Sequence, residues 1–224
     1  MTDDDEAVLR AQRLYYDQRA PEYDDAYRRT RGYDRGADGN ADWLAEMAAV
    51  VEAFDRVPLT GDILELAAGT GAWTERIVGR ARSLTVIDTS AAMLEANRAR
   101  LRSAAATVDY RIADLFSWQP ERRWDACVFG FWLCKVPDKR IAVFLNAVAD
   151  ALRPGGVVCC VDKAAVAEPA TELEARTLND GRRFTIIDHP RPPERLVDVF
   201  AAAGLAVDVQ TIGGRFCVVQ GTRA

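Results

Sequence analysis

Short apolar runs along the chain alternate with stretches of helical spacing. The first run covers residues 63–66, passes through a turn of small residues at 67–71 and leads at Trp73 into a helical pattern. Small residues permit a tight turn and a close approach of backbone N–H groups to a ligand. This pattern predicts the opening strand, turn and helix of a nucleotide-type α/β domain.

Two further runs each end in a carboxylate. Residues 84–87 lead to Asp88 and residues 108–113 lead to Asp114, with helical spacing over 91–101 between them. Ligands of open α/β sheets bind at the carboxyl ends of the strands, so both carboxylates are predicted to face one site. Later strands are predicted at 126–129, 157–161, 183–187, 206–212 and 216–220.

The remaining pattern predicts helices and loops around these strands. Apolar stripes indicate helices from Trp43 to Phe54, from Ile141 to Leu152 and from Leu196 to Ala203. Gly32–Gly39 reads as a polar loop, and Glu172–Leu178 is interpreted as a short helix. Gly213-Gly214 suits a hairpin between the last two strands.

The chain resembles the class I S-adenosylmethionine-dependent methyltransferases of the small-molecule type. The resemblance rests on motifs that follow the family's order between about residues 60 and 162. They are Glu65-Leu66-Ala67-Ala68-Gly69-Thr70-Gly71, Asp88 with Thr89 to Leu94, Ala113-Asp114-Leu115, Trp124 to Phe129 and Leu152-Arg153-Pro154-Gly155-Gly156. The family usually has glycine where this chain has Ala67, whose methyl group should narrow the approach of a ligand.

The resemblance implies an α/β, Rossmann-like class I methyltransferase fold. Its sheet should have seven mostly parallel strands with an antiparallel last strand, helices on both faces and an N-terminal helical lid. We expect a single domain over residues 1–224. Within it, residues 1–40 would form the lid, 60–162 the cofactor-binding core and 163–224 the substrate-side part that closes the sheet.

The resemblance also implies S-adenosyl-L-methionine as cofactor and S-adenosyl-L-homocysteine as its product. Glu65 would reach the methionyl amine, Asp88 the ribose hydroxyls, and Asp114 the adenine amino group. The expected cofactor-binding residues are Tyr23, Glu65, Ala67, Gly69, Gly71, Asp88, Thr89, Met93, Asp114, Leu115, Phe116, Phe129 and Phe131.

The methyl acceptor is expected in an apolar, partly aromatic pocket. Similar methyltransferases often open with tyrosine-rich segments that fold over the cofactor, although such rings can also simply fasten helices to the domain. The expected substrate-binding residues are Tyr15, Tyr16, Trp132, Leu133 and Lys163. The hypothesis is methyl transfer to an O or N atom of a small metabolite or natural-product intermediate.

Three residues are candidates for removing or orienting the acceptor proton. His189 is the only histidine and has a suitable pKa range, but it is equally plausible as a solvated loop residue. Asp162 ends a predicted strand, and Lys135 follows the aromatic segment after the fourth strand. The expected reaction is an in-line displacement of the methyl group by the acceptor atom. Because positioning alone accelerates this reaction, a dedicated base is optional.

The composition of the chain argues against several classes of binding partner. The net charge of −5 argues against a broad phosphate-binding surface and hence against nucleic acid. No apolar run reaches the length of a membrane span, and the acidic start is unlike a signal peptide, so a cytoplasmic protein is expected. The five cysteines and the single histidine lack the spacing of metal ligands, so no metal site is expected. The cysteines are expected to be buried thiols. A monomer or a homodimer fits equally.

Two other functions fit parts of the pattern. Ala67, Gly69 and Ala72 loosely mimic a dinucleotide fingerprint, which would suit a NAD(P)-dependent oxidoreductase. The fold also suits a non-catalytic cofactor-binding partner or regulator. Asp114, the turn from Leu152 to Gly156 and the terminal hairpin favour the methyltransferase over the oxidoreductase. The intact acidic set and the aromatic pocket favour it over the non-catalytic protein.

Overall fold

The computed structural model describes residues 3–167 and 172–224. Its strands are β1 Gly61–Leu66, β2 Ala81–Asp88, β3 Val108–Ile112, β4 Trp124–Gly130, β5 Leu152–Lys163, β6 Leu173–Thr177, β7 Arg183–Ile187, β8 Leu205–Ile212 and β9 Phe216–Arg223. Its α-helices are α1 Asp3–Arg19, α2 Asp25–Arg28, α3 Gly36–Asp55, α4 Thr74–Ile77, α5 Ala91–Leu101, α6 Asp138–Ala151 and α7 Pro193–Ala202.

Seven strands form one sheet in the order β3-β2-β1-β4-β5-β9-β8. The first five run parallel, and β9 pairs antiparallel with both β5 and β8. Gly213 and Gly214 have positive φ angles of 59° and 75°, which a tight hairpin between β8 and β9 requires. The predicted Rossmann-like methyltransferase fold is therefore confirmed.

Helices cover both faces of this sheet because successive strand residues point to opposite sides. Ile63 packs with Val50 and Phe54 of α3 on one face. Leu64 packs with Phe144 of α6 and Phe200 of α7 on the other. Both faces of the central strands are thus buried, which explains why these strands read as nearly continuous apolar runs.

The segment after β5 differs from the prediction. Glu172–Leu178 was predicted to be a short helix, and that prediction is wrong: residues 173–177 form β6, which pairs antiparallel with β7. Exposure alternates along β6 with a period of two residues, as in a half-covered strand. Tyr15 of α1 packs against Leu178 and Ile186, so tertiary contacts with the N-terminal helix accompany the hairpin.

The predicted loop at Gly32–Gly39 is also only partly a loop. A short 3₁₀ turn forms at Arg31–Tyr33, and α3 already begins at Gly36. The five cysteines are free and buried, as expected. No described helix combines the length and the apolar character that crossing a bilayer requires.

Candidate active site

The turn after β1 is built from left-handed backbone. Ala67, Gly69 and Gly71 have φ angles of 51°, 54° and 89°. A Cβ on Gly71 would lie 2.7 Å from the side-chain carbon of Asn97, so only glycine fits there, whereas the space beside Gly69 is open. The turn therefore presents exposed backbone at Gly69, while Ala67 holds a conformation that is costly for a residue with a side chain.

Asp88 at the end of β2 anchors this turn. Its Oδ2 accepts a hydrogen bond from the N–H of Gly69 at 2.9 Å, and its Oδ1 accepts one from the N–H of Ser90 at 2.9 Å. Burial raises the pKa of this carboxyl above its usual range, although the hydrogen bonds from Ser90 and Gly69 oppose that shift. The Asp88 side chain thus lies at the carboxyl edge of the sheet, beside a cavity between α1 and the strand ends.

Asp114 lies after β3 on the same edge. Its Oδ1 accepts from the N–H of Phe116 at 3.0 Å, and its Oδ2 pairs with Arg13 of α1. The N-terminal helix therefore lies across the ends of β2 and β3. Arg13 was not among the predicted site residues.

The first cavity lies between α1 and the strand ends. It is lined by Leu9, Gln12, Arg13, Tyr16, Tyr23, Ala67, Gly69, Asp88, Thr89, Met93, Asp114, Leu115, Phe116, Gly130, Phe131, Trp132 and Lys135. Most of the predicted cofactor-binding residues meet here. Trp132, predicted to bind substrate, also lies here, with its ring centroid 5.7 Å from that of Phe116.

The sequence analysis predicted Tyr16 as a site residue but missed Leu9, Gln12 and Arg13, which line this cavity from the same helix, α1. Leu9, Gln12, Arg13 and Tyr16 follow the spacing i, i+3, i+4 and i+7, so they share one helical face. That spacing was a usable signal, but a polar glutamine and arginine on the face hide it from a search for apolar stripes.

Polar contacts hold the N-terminal segment against the strand ends. The hydroxyl of Ser90 donates to Asp17 at 2.8 Å, and the hydroxyl of Thr70 donates to Asp24 at 2.7 Å. The Gln12 side chain accepts from the N–H of Ile187 at 2.8 Å. The segment is therefore fixed to the glycine turn, to α5 and to β7 at once.

Several predicted residues lie away from this cavity. Phe129 is buried in the core with its ring centroid 5.2 Å from that of Phe144, and Leu133 is also fully buried. Tyr15 packs on the β6–β7 hairpin, and Gly71 contacts Asn97. These four residues therefore lie outside the described linings of the cavities at the carboxyl edge of the sheet.

Glu65 lies in β1 just before the glycine turn. Its side chain is 1% exposed, and Oε2 has no hydrogen-bond partner among the described residues. Burial raises the pKa of this carboxyl to about 8. An unpartnered buried acceptor is costly unless a ligand donor satisfies it.

A second cavity adjoins the first one. The residues that line both are Tyr16, Tyr23, Phe131 and Lys135. The other residues that line the second are Arg19, Ala26, Tyr27, Arg29, Tyr33, Trp43, Met47, Cys134, Lys163, Arg176 and Phe216. Of these, only Lys163 was predicted to bind substrate.

Phe131 forms part of the wall between the two cavities. It has a φ angle of 53°, which is rare for a bulky residue, and its N–H donates to the carbonyl of Val161 at 2.6 Å. Its ring lies 6.1 Å from that of Tyr27 and 5.9 Å from that of Phe216. Such strain persists only where surrounding contacts over-determine it, and it concentrates at functional sites.

The three proton-transfer candidates have different surroundings. Lys135 lines both cavities, with its Nζ 3.0 Å from Asp188. Burial opposes its charge, but acidic neighbours including Asp188 outweigh burial and raise its pKa above the usual value. Lys135 is therefore a cation and is unsuited to remove a proton.

Asp162 and His189 lie outside the described linings of both cavities. Asp162 accepts a hydrogen bond from the N–H of Cys134 at 2.9 Å, and the N–H of His189 donates to the carbonyl of Cys134 at 2.7 Å. The His189 ring is 4% exposed, with Nδ1 3.0 Å from Glu172. Both residues thus fix the turn that carries Lys135.

Asp138, Glu172 and His189 bring three possible metal-ligand atoms close together. Arg191 already occupies this group, because its Nη2 lies 2.6 Å from Asp138 Oδ1. The cluster is explained as a partly buried ion-pair network that ties α6 to the segment before α7.

The sequence and the fold of this chain are similar to those of known methyltransferases. Residues 63–156 match a family model described as a methyltransferase domain. A structure of DhpI with SAH shares 33% sequence identity over 97% of each chain, with a TM-score of 0.80. A DhpI–SAM–HEP complex shares 34% identity over 96% of this chain and 97% of that chain, with a TM-score of 0.82.

This chain belongs to the S-adenosylmethionine-dependent methyltransferases. The glycopeptide N-methyltransferase MtfA, at 18% identity over 83% of this chain and all of that chain, shares the fold with a TM-score of 0.62. Among curated protein sequences, none matches this methyltransferase. Membership of this family argues against the oxidoreductase function that Ala67, Gly69 and Ala72 suggested.

The residues of the methyltransferase fit its cofactor, S-adenosylmethionine. The open space beside Gly69 admits a ligand against the backbone. Asp88 offers carboxylate oxygens suited to hydroxyl donors, and the unpartnered Oε2 of Glu65 is suited to an ammonium group.

Proposed function

We propose that this methyltransferase transfers a methyl group to an O or N atom of a small, partly apolar acceptor. The observation that carries the proposal is the pair of adjoining cavities. The first contains the predicted cofactor-binding residues, and the second meets it at Tyr16, Tyr23, Phe131 and Lys135.

In this proposal the cofactor lies along the strand ends. Asp88 accepts hydrogen bonds from the ribose hydroxyls, and Glu65 accepts from the methionyl ammonium, directly or through water. Asp114 accepts from the adenine amino group, with Phe116 and Trp132 beside the ring. Supporting this placement, all but Glu65 line the first cavity.

The acceptor would then occupy the second cavity. Aromatic rings from Tyr27, Tyr33, Trp43 and Phe216 supply apolar walls, and the cavity volume of about 200 Å³ favours a small molecule. DhpI, solved as a complex with SAM and HEP, is a relative in which the cofactor is accompanied by a further component.

S-adenosylmethionine supplies a methyl group on a sulfonium sulfur, which keeps the bonding electron pair as S-adenosylhomocysteine is formed. A lone pair of the acceptor O or N forms the new bond, and the acceptor proton passes to solvent. The described residues that line the second cavity include neither a carboxylate nor an imidazole. Rate enhancement would therefore come from positioning, worth up to roughly 7–11 kcal/mol in the best cases.

Filling the second cavity tests this assignment. Ala26 lines it, so Ala26→Trp should lower kcat/KM for a small acceptor at least about tenfold and leave the Kd for S-adenosylhomocysteine within about threefold. Acceptors would be found by screening hydroxylated and amino compounds with ¹³C-methyl cofactor, because the shift of the new methyl signal distinguishes O from N products.

Ala7→Trp is the matched control, because Ala7 is exposed on α1. An unchanged kcat/KM in Ala26→Trp would contradict the placement of the acceptor. Turnover of peptides alone, with S-adenosylhomocysteine still bound, would contradict the small-molecule substrate while leaving the methyltransferase assignment intact.

A further inference from the structure

The second cavity concentrates positive charge in an otherwise acidic chain. Its lining includes Arg19, Arg29, Lys135, Lys163 and Arg176, and none of the described residues that line it is acidic. The whole chain carries a net charge of −5. Cations gathered in a cavity of such a chain call for a specific explanation.

Two arginines of this lining, Arg19 and Arg29, have no acidic partner among the described residues, and Arg19 is the more deeply buried of the two. It is 9% exposed, and no described carboxylate lies within 4.0 Å of its guanidinium. Its Nη2 donates to the hydroxyl of Tyr33 at 2.7 Å, and its Cζ lies 4.7 Å from the centroid of the Tyr23 ring. Ring faces offset only part of the cost of burying a charge, so Arg19 still has an energetic need for an anion.

Two more arginines on this lining have unused donors. The Nε atoms of Arg29 and Arg176 are buried and have no hydrogen-bond partner among the described residues. Arg29 lies over Trp43, with its Cζ 5.2 Å from the ring centroid, and it pairs with no described carboxylate. Unsatisfied buried donors are rare in folded proteins and are explained when a ligand supplies the acceptor.

The remaining cations share too few carboxylates. Lys135, Lys163 and Arg176 all pair with Asp188, and Arg176 also pairs with Glu174. With five cations and two carboxylates, the group carries a net charge of +3 when all seven are ionised. Burial raises the pKa of Glu174, which leaves still less negative charge to balance the cations.

We infer that the methyl acceptor carries an anionic group, a carboxylate, sulfate or phosphoryl group, held by Arg19, Arg29 and Arg176. This inference rests on the proposed function, since it specifies the molecule that fills the second cavity. The nucleophilic end would lie at the wall that both cavities share, beside Phe131, and the anionic end among the arginines. Guanidinium groups suit such oxyanions because their N–H donors match pairs of oxygens.

Direct titration of simple anions tests the inference without knowledge of the acceptor. Sodium acetate, sulfate and phosphate are titrated into the full chain saturated with S-adenosylhomocysteine, and the heat of binding is measured. At least one oxyanion should bind, and its Kd should rise with sodium chloride. Whether acetate or a tetrahedral anion binds more tightly identifies the kind of acid in the acceptor.

The variants are Arg19→Gln and Arg29→Gln, with Arg10→Gln as control, because Arg10 is exposed on the same helix as Arg19. Each test variant should raise the anion Kd by roughly tenfold to hundredfold. The control should stay within about twofold. Arg29 is only partly buried, so its variant stays informative if Arg19→Gln does not fold.

The inference is overturned if none of the three anions binds to the S-adenosylhomocysteine-loaded protein. Equal weakening in Arg10→Gln would also overturn it, because the binding would then reflect overall charge. A failure of the proposed function is read separately: it appears as unchanged turnover of a small acceptor in Ala26→Trp, whatever the anions do.

Discussion

The two cavities at the carboxyl edge of the sheet are built in opposite ways. Much of the first comes from the ends of β1, β2 and β3 and carries carboxylates such as Asp88 and Asp114. The second joins the N-terminal segment to the β6–β7 hairpin and to β9, and it carries cations. Local turns thus form much of the proposed cofactor site, whereas contacts between distant segments form the proposed acceptor site.

The largest expected effect separates the two cavities directly. Asp88→Ala removes both the anchor of the Gly69 turn and the proposed acceptor for the ribose hydroxyls. Because hydrogen bonds to charged groups contribute about 1.5–3 kcal/mol each, the Kd for S-adenosylhomocysteine should rise about hundredfold or more. Calorimetric titration measures it, and anion binding in the second cavity should change by less than about threefold.

Asp109→Ala, at an exposed position on β3, is the control for this variant. Parallel loss of cofactor and anion affinity in Asp88→Ala would show that the two cavities do not bind independently.

An intermediate effect concerns Glu65 and pH. The folded-state pKa is about 8 against an ordinary value of 4.5, so between these pH values unfolding releases a proton. The contribution of Glu65 to the free energy of unfolding of the cofactor-free protein should therefore be highest below pH 4.5 and fall as pH rises to about 8. The contribution of this residue to the slope is at most about 1.4 kcal/mol per pH unit.

Glu65→Gln should flatten that slope in urea denaturation, whereas Glu95→Gln, at an exposed position on α5, should not. Wild-type protein should also release a proton when it binds S-adenosylhomocysteine near pH 7, since an ammonium partner favours the carboxylate. Titrations in buffers of different ionisation enthalpy count that proton. Proton uptake, or a slope unaffected by Glu65→Gln, would contradict the proposed role.

The smallest effect concerns Ala67, whose φ angle of 51° suits glycine. Ala67→Gly should raise the free energy of unfolding by up to about 1 kcal/mol, because relief of strain exceeds the added chain entropy of the unfolded state. Affinity for S-adenosylhomocysteine should be retained or improved. Ala68→Gly, at a neighbouring position without a positive φ angle, should instead be destabilising, and equal destabilisation by both would refute the strain argument.

Sequence reasoning predicted the features that depend on local pattern. Short apolar runs around Ile63 and Val86 identified central strands, and the Gly213-Gly214 pair marked the hairpin before β9. It failed at β6, where Glu172–Leu178 has no strong local preference and pairs with β7 in contact with Tyr15. The residue pattern of one segment cannot reveal which distant segment it pairs with or packs against.

The same limit applies to the site. Asp88 is the last residue of β2 and Asp114 follows β3 by two residues, so topology alone brings them to the same edge of the sheet. Arg176 lies far in sequence from Arg19 and Arg29, and all three resemble ordinary surface arginines until the fold brings them to one cavity. His189 shows the reverse case, because its chemistry suggested catalysis while its ring lies outside the described linings of both cavities, with Nδ1 3.0 Å from Glu172.

The position of Tyr16 and Tyr23 has a kinetic consequence. Both rings line both cavities, so any displacement of the N-terminal segment would open the two cavities together. Release of S-adenosylhomocysteine and release of the methylated product would then share one conformational barrier. The hydrogen bonds of Ser90 to Asp17 and of Thr70 to Asp24 would add to that barrier, because both must break when the N-terminal segment moves away.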